Sequence, residues 1–190
     1  MAYFPMMTEL KEVPVLVIGG GREGTEKIRI LRSFGAKICL VAVDAGAEAV
    51  EMSDRFIGAP FCDEMMDDED YAMVISATDD RELNRHISEL AKKRKIPVNV
   101  VDDPELCSFI FPAIFRKNDL VCAVSSGGKS PYVAQFVRDR LGEILPENIG
   151  EINDRMGELR KEAKDRFPEA ADRRRFLRER FDEMMEGILL

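Results

Sequence analysis

An apolar run from Val15 to Ile18 passes without a break into Gly19-Gly20-Gly21-Arg22-Glu23-Gly24, and a helical pattern begins at once. Strand, then Gly-x-Gly-x-x-Gly, then helix is the context a dinucleotide-binding turn requires. Each motif glycine has a physical task. Gly19 permits the sharp exit from the strand, Gly21 lets the backbone come close to a pyrophosphate, and Gly24 lets the helix lie close to the sheet. The helix start, with Arg22 and Glu23 in its first turn, presents unpaired N–H groups and partial positive charge to phosphates. Gly19, Gly21, Arg22, Glu23 and Gly24 are therefore the first candidate cofactor residues.

The pattern that follows is that of an α/β chain. Val13 to Ile18 is nearly all apolar, as in a strand covered on both faces. Glu23 to Phe34 carries Ile28, Leu31 and Phe34 at helical spacing and stops at Gly35, a residue suited to a helix C-terminus. Lys37 to Val43 reads as the second strand, completing a β-α-β unit. Asp44 comes 20 residues after Gly24, where an acid commonly accepts from the ribose hydroxyls of NAD. If the strand ends near Val41, Asp44 is instead a solvated loop residue; both readings stand on sequence grounds.

A short strand is expected at Arg55 to Ile57, followed by an acidic run at Asp63 to Asp70 that reads as a solvated face or a helix start. Ala72 to Ala77 is a buried strand. It ends in Thr78-Asp79-Asp80 at the carboxyl edge of the sheet, where open α/β folds bind ligands, which makes Thr78 and Asp79 further cofactor candidates. A helix over Asp80 to Lys95 places Leu83, Ile87, Leu90 and Ala91 on one face. His86, the sole histidine, adjoins that face and reads as packed or surface-facing rather than catalytic. Pro97 to Val101 is the next strand, ending at Asp102-Asp103-Pro104. The alternation predicts a parallel sheet with helices on both sides.

After Pro104 the pattern changes. Phe109 to Arg116 and Leu120 to Val124 are β-rich runs around Lys117-Asn118-Asp119, a hairpin signature. Ser125 to Pro131 is a loop that closes with a helix N-cap and an N1 proline. Tyr132, Val133, Phe136, Val137, Leu141, Ile144 and Leu145 form an apolar stripe at helical period. Beyond Ile149 only helices are expected. Ile152, Met156, Leu159, Ala163 and Phe167 lie on one, and Phe176, Leu177, Phe181, Met184 and Ile188 on another, with the break near Pro168. Neither helix can hide its apolar face alone.

Composition narrows the classes of function. The net charge of −8 resides entirely in residues 1–113, which hold 21 acidic and 13 basic side chains; residues 114–190 hold 15 of each. Overall acidity argues against nucleic acid as the main partner. No apolar run is long enough to span a membrane, nothing at the N-terminus resembles a secretion signal, and a cytoplasmic location is expected. The four cysteines, Cys39, Cys62, Cys107 and Cys122, are scattered without a metal-binding spacing or a disulfide framework. No metal site is expected.

Five segments occur in one order: Gly19-Gly20-Gly21, Ala77-Thr78-Asp79-Asp80, Asn99-Val100-Val101-Asp102, Ser108-Phe109-Ile110-Phe111-Pro112-Ala113, and Ser125-Ser126-Gly127-Gly128-Lys129-Ser130-Pro131. The ordered set resembles the precorrin-2 dehydrogenase family, the N-terminal module of siroheme synthase and its standalone relatives, over essentially the whole chain. The resemblance implies NAD-dependent oxidation of precorrin-2 to sirohydrochlorin, followed in some members by insertion of ferrous iron. It also implies a homodimer and a three-part chain. These parts are a Rossmann domain over residues 1–113, a small α+β dimerisation segment over 114–147, and a helical C-terminal segment over 148–190. The methyltransferase domain of the bacterial synthase has no counterpart in these residues, so precorrin-2 is expected from another protein.

Asp102 matches the family's catalytic aspartate. By spacing alone the preferred reading is a capping residue of an Asp-Asp-Pro turn; the resemblance reverses that preference and makes it the proton acceptor, and a carboxylate that could also serve metal insertion. The substrate is rich in carboxylates. Ser126, Gly127, Gly128 and Lys129 precede a helix start, a natural seat for one of them, against the plainer reading of Lys129 as a solvated loop lysine. The Arg173-Arg174-Arg175 run reads as a solvated face. A rival from another class, a non-catalytic NAD-sensing module, accounts for the glycine turn but gives the last two segments no purpose.

Overall fold

The computed structural model describes residues 3–186 and divides into two compact units, residues 1–111 and 112–190. The first is a five-stranded parallel sheet in the order β3-β2-β1-β4-β5. Its strands are β1 (Pro14–Gly20), β2 (Lys37–Ala45), β3 (Arg55–Ile57), β4 (Met73–Ser76) and β5 (Val98–Val100). Three helices connect them: α1 (Arg22–Ser33), α2 (Ala47–Glu51) and α3 (Arg81–Lys93).

Central β1 explains why its sequence is continuously apolar. Leu16 and Ile18 point into one core with Val41, Val74, Ile87 of α3 and Val98, while Val15 and Val17 point into another with Ile28 and Leu31 of α1, Leu40 and Ile75. With no solvent-facing side, alternation has no role. Each such large side chain contributes about 1.5–3 kcal/mol by leaving water. The chain reverses direction across the sheet between β1 and β4, and the carboxyl ends of these neighbours flank the crevice where open α/β sheets bind ligands. The acidic run forms a 3-10 turn over Asp63–Asp67. His86 is exposed and its Nε2 lies 2.6 Å from Asp63 Oδ1.

Two boundaries differ from expectation. The second strand continues to Ala45, so Asp44 belongs to the strand and not to a loop. The cause is Gly20: a bulge after Ile18 carries the β1 ladder on to a Gly20–Ala45 pair. The β-run expected over Phe109 to Arg116 is confined to Ala113–Lys117. Phe109 and Phe111 instead pack against the α1-side core, their ring centroids 5.6 Å apart, and Asn99 Nδ2 donates to Phe109 O at 3.1 Å.

The second unit opens with the antiparallel hairpin β6 (Ala113–Lys117) and β7 (Leu120–Val124), joined through Asn118 at φ 51°. Helix α4 (Pro131–Ile144) begins as predicted: Ser130 Oγ accepts from Val133 N–H and Pro131 takes the first helical position. Its stripe is largely uncovered, with Tyr132 80%, Phe136 59% and Ile144 72% exposed. Helices α5 (Ile149–Arg166) and α6 (Ala170–Glu186) follow, with the rings of Phe167 and Phe176 5.4 Å apart. Ile188, expected on the last helix, lies outside the described residues. No helix among the described residues is long and apolar enough to cross a membrane.

Candidate functional site

The turn after β1 is shaped by missing side chains. Gly19 sits at φ +103°, and a Cβ there would stand 2.2 Å from Ala77 O; one on Gly24 would stand 2.1 Å from Gly19 O. Both positions are closed to any other residue. Gly20, to which no role fell on sequence grounds, is equally constrained, since its Cβ would meet that of Ala45 at 2.3 Å. Gly21 is the opposite case: nothing lies within 4 Å of a Cβ built on it. As the N-cap of α1 it offers no capping side chain, so no cap hydrogen bond occupies the first-turn N–H groups. A phosphate cradle needs this combination of sealed backbone behind and free N–H groups in front. Arg22 and Glu23 pair with each other at 2.7 Å at its exposed rim.

Beside the turn lies an open cleft of about 400 Å³, lined by Gly20, Gly21, Arg22, Thr25, Arg29 and Glu48 among others. Thr25 fixes its floor by donating through both N–H and Oγ1 to Gly21 O, at 2.9 and 2.8 Å. Arg29 reaches across to Glu48 on α2, Nη2 to Oε1 at 2.5 Å. Two residues 19 apart on separate helices carry no local signature, and sequence reasoning passed over both. Asp44 is exposed near the end of β2, two residues before this cleft's Gly46 in the chain but not itself among the lining residues.

Past β4, the side chain of Thr78 is engaged internally. Its Oγ1 and that of Ser76 each lie 2.7 Å from Asn84 Oδ1, while Asn84 Nδ2 donates to Thr78 O at 2.8 Å. Asn84, also overlooked, thus ties the loop to α3. The Thr78 hydroxyl therefore acts on the loop, and the contribution of this segment at the glycine turn is the backbone of Ala77 and Thr78 against Gly19. Asp79 is exposed. Asp80 caps α3, accepting from Glu82 and Leu83 N–H at 3.0 and 3.1 Å.

Asp102 stands exposed just past β5, at φ +60°. Asp103 N–H closes the turn onto Val100 O at 3.4 Å, which puts Asp102 at a corner that glycine or asparagine would fill with less strain. The turn is bound from below by the segment that follows it. Cys107 Sγ contacts Val100 N, Val100 O and Asp103 O at 3.2, 3.2 and 3.3 Å. Ser108 Oγ accepts from Val98 N–H at 2.8 Å, and Ser88 Oγ donates to Leu106 O at 2.6 Å. Burial pushes the Cys107 thiol above the usual thiol range, against a smaller opposing effect of the Val100 backbone hydrogen bond. It therefore remains an S–H donor at neutral pH.

The remaining candidates, Ser126, Gly127, Gly128 and Lys129, lie in the second unit between β7 and α4. Gly127 and Gly128 adopt φ +68° and +79°. The Gly127 N–H, expected to be free for a substrate carboxylate, is donated to Ser125 Oγ at 3.1 Å, and Ser126 Oγ accepts from Ser130 N–H at 2.9 Å. The loop's own hydroxyls thus satisfy the Gly127 and Ser130 amides, and Lys129 is exposed. Among the described residues no group of three or more His, Cys, Asp and Glu side chains is placed to hold a metal ion.

A family model described as "Putative NAD(P)-binding" matches residues 6–113, and one described as the sirohaem synthase dimerisation region matches residues 148–186. The second falls on α5 and α6, C-terminal to the 114–147 segment. The siroheme synthase 1 of Serratia proteamaculans is 38% identical over 95% of this chain, and that of Methylococcus capsulatus 37% over 93%. In both cases the chain spans 38% of the relative's length. The solved structure of SirC, a precorrin-2 dehydrogenase, superposes with a TM-score of 0.74 over 98% of both chains at 24% identity, and so shares the fold.

Proposed function

The chain belongs to the family of the siroheme synthase N-terminal region, and from that premise we propose that it oxidises precorrin-2 to sirohydrochlorin with NAD. The glycine turn fits the cofactor: Gly19, Gly20 and Gly24 are sealed, and Gly21, with the N–H groups behind it, is open. Bound there, NAD+ supplies the hydride acceptor. Gly21, Arg22 and Glu23 would hold the pyrophosphate end, and Asp44, at the exposed end of β2, would accept from the ribose hydroxyls, an arrangement that favours NAD over NADP.

Aromatising a reduced tetrapyrrole also releases a proton, and the carboxylate of Asp102 takes it. The observation that carries this assignment is the backbone of Asp102. An aspartate held at φ +60° and exposed, past the carboxyl end of a strand in the same sheet as the glycine turn, supports this reading. Where ferrous iron is inserted afterwards it is a substrate, and Asp102 is the carboxylate that would relieve the pyrrole nitrogens of their protons. Lys129 would meet a substrate carboxylate. The exposed stripe on α4, on the same unit as the matched dimerisation region, supports a homodimer that covers it.

The test is turnover of purified protein with NAD+ and enzymatically prepared precorrin-2, followed by NADH and sirohydrochlorin absorbance. Asp102→Ala is expected to lower kcat at least about 1,000-fold while NAD affinity stays within about threefold. NAD binding without any turnover by the unaltered protein would leave the sensing module as the better reading. Full turnover by Asp102→Ala would remove Asp102 from the mechanism.

A further inference from the structure

Resting on the reading of Asp102 as the proton acceptor, we propose that Cys107 is a positioning residue that clamps the Val100–Asp103 turn and sets the direction of the Asp102 carboxylate. One sulfur touches both ends of that turn. It accepts from Val100 N–H at 3.2 Å, and its S–H is shared between Val100 O at 3.2 Å and Asp103 O at 3.3 Å. Asn99 Nδ2 approaches the same sulfur at 3.5 Å. Between the clamped ends stands Asp102 at φ +60°, a conformation that an aspartate keeps only while its surroundings hold it.

On the β4 side the turn is held by Val101 N–H to Ser76 O at 2.9 Å, but across the corner its one internal backbone hydrogen bond, Asp103 N–H to Val100 O, is long at 3.4 Å, and Asp102 itself is exposed. Leu106 N–H to Asp103 O at 3.2 Å and Cys107 N–H to Pro104 O at 3.3 Å fold the following residues back, and this carries the sulfur under the turn. Sulfur suits the position because its long bonds and diffuse lone pairs reach three backbone atoms at 3.2–3.3 Å together. The thiol is also the protonated species at working pH, since burial raises its pKa.

A clamp of this kind acts on kcat, because a misdirected base loses proton transfer in the transition state, and it leaves cofactor binding alone. Cys107→Ala is expected to lower kcat about tenfold with KM for NAD within twofold, and Cys107→Ser, which keeps a donor and an acceptor, to recover kcat to within about threefold of the unaltered protein. In an Asp102→Ala background, Cys107→Ala should change the residual rate less than twofold, since the group it positions is gone. If Cys107→Ala does not fold, Cys107→Val, which fills the volume without hydrogen bonding, takes its place under the same criteria. Unchanged kcat in the alanine or valine variant, or an equal loss in both backgrounds, or a serine variant no better than alanine, would overturn the clamp. Full turnover by Asp102→Ala would overturn the base assignment first and the clamp with it, so the two failures are separable.

Discussion

The turn after β1 and the turn after β5 reach the same edge of one sheet by opposite means. Gly19, Gly20 and Gly24 let the first turn form because no side chain stands where backbone must pass. The second forms against its own preference, with a strained aspartate at the corner and Cys107, Ser108 and Asn99 bonding the neighbouring backbone from outside it. A turn built by omission depends on positions within a few residues, and any addition breaks it. A turn built by support depends on residues farther along the chain, and any removal loosens it.

Substitutions at the two turns should therefore fail in different ways. Gly24→Ala is expected to cost about 3 kcal/mol or more, because its Cβ would press on Gly19 O, a backbone atom with nowhere to yield. Urea denaturation measures this, and a loss under about 0.5 kcal/mol would mean the turn is not sterically set. Gly21→Asp separates binding from folding at the same turn. With φ at −73° and open space around it, the variant should keep its stability within about 0.5 kcal/mol. NAD affinity by titration calorimetry should nonetheless fall about 100-fold, or about 2.7 kcal/mol, through repulsion of the pyrophosphate. Unchanged affinity would place the cofactor elsewhere.

At the second turn the effect on stability has the opposite sign. Asp102→Gly relieves a left-handed residue and should stabilise the protein by about 0.5–1 kcal/mol while turnover is lost. A variant less stable than the unaltered protein would show that the aspartate side chain supports its own turn, and the contrast between the two turns would then narrow.

The same contrast governs what could be read from sequence. The sheet was legible because strands buried on two faces must be apolar throughout, as Val15 to Ile18 are, and α4 because Ser130 and Pro131 announce its start. The glycine turn was legible because its causes are local. The extension of β2 to Asp44 was not, since it depends on Gly20 meeting Ala45 across the ladder. Phe109 to Pro112 has β-forming composition yet is no strand, because Phe109 and Phe111 gain more by burial against the α1-side core. Asn84 and Cys107 gave no signal at all: their partners are backbone atoms and hydroxyls whose positions only the folded chain defines.

The short ladder between Gly20 and Ala45 has one more implication. Gly46 N–H donates to Gly20 O at 3.0 Å, so the stretch carrying Asp44 is fastened to the glycine turn by backbone alone. The proposed seat for the phosphates and the acid proposed for the ribose are thereby set at a fixed spacing before any nucleotide arrives. Little entropy is then lost in ordering them on binding, and more of the contact energy remains as affinity. On that proposal the sheet works as a gauge for the length of the ligand.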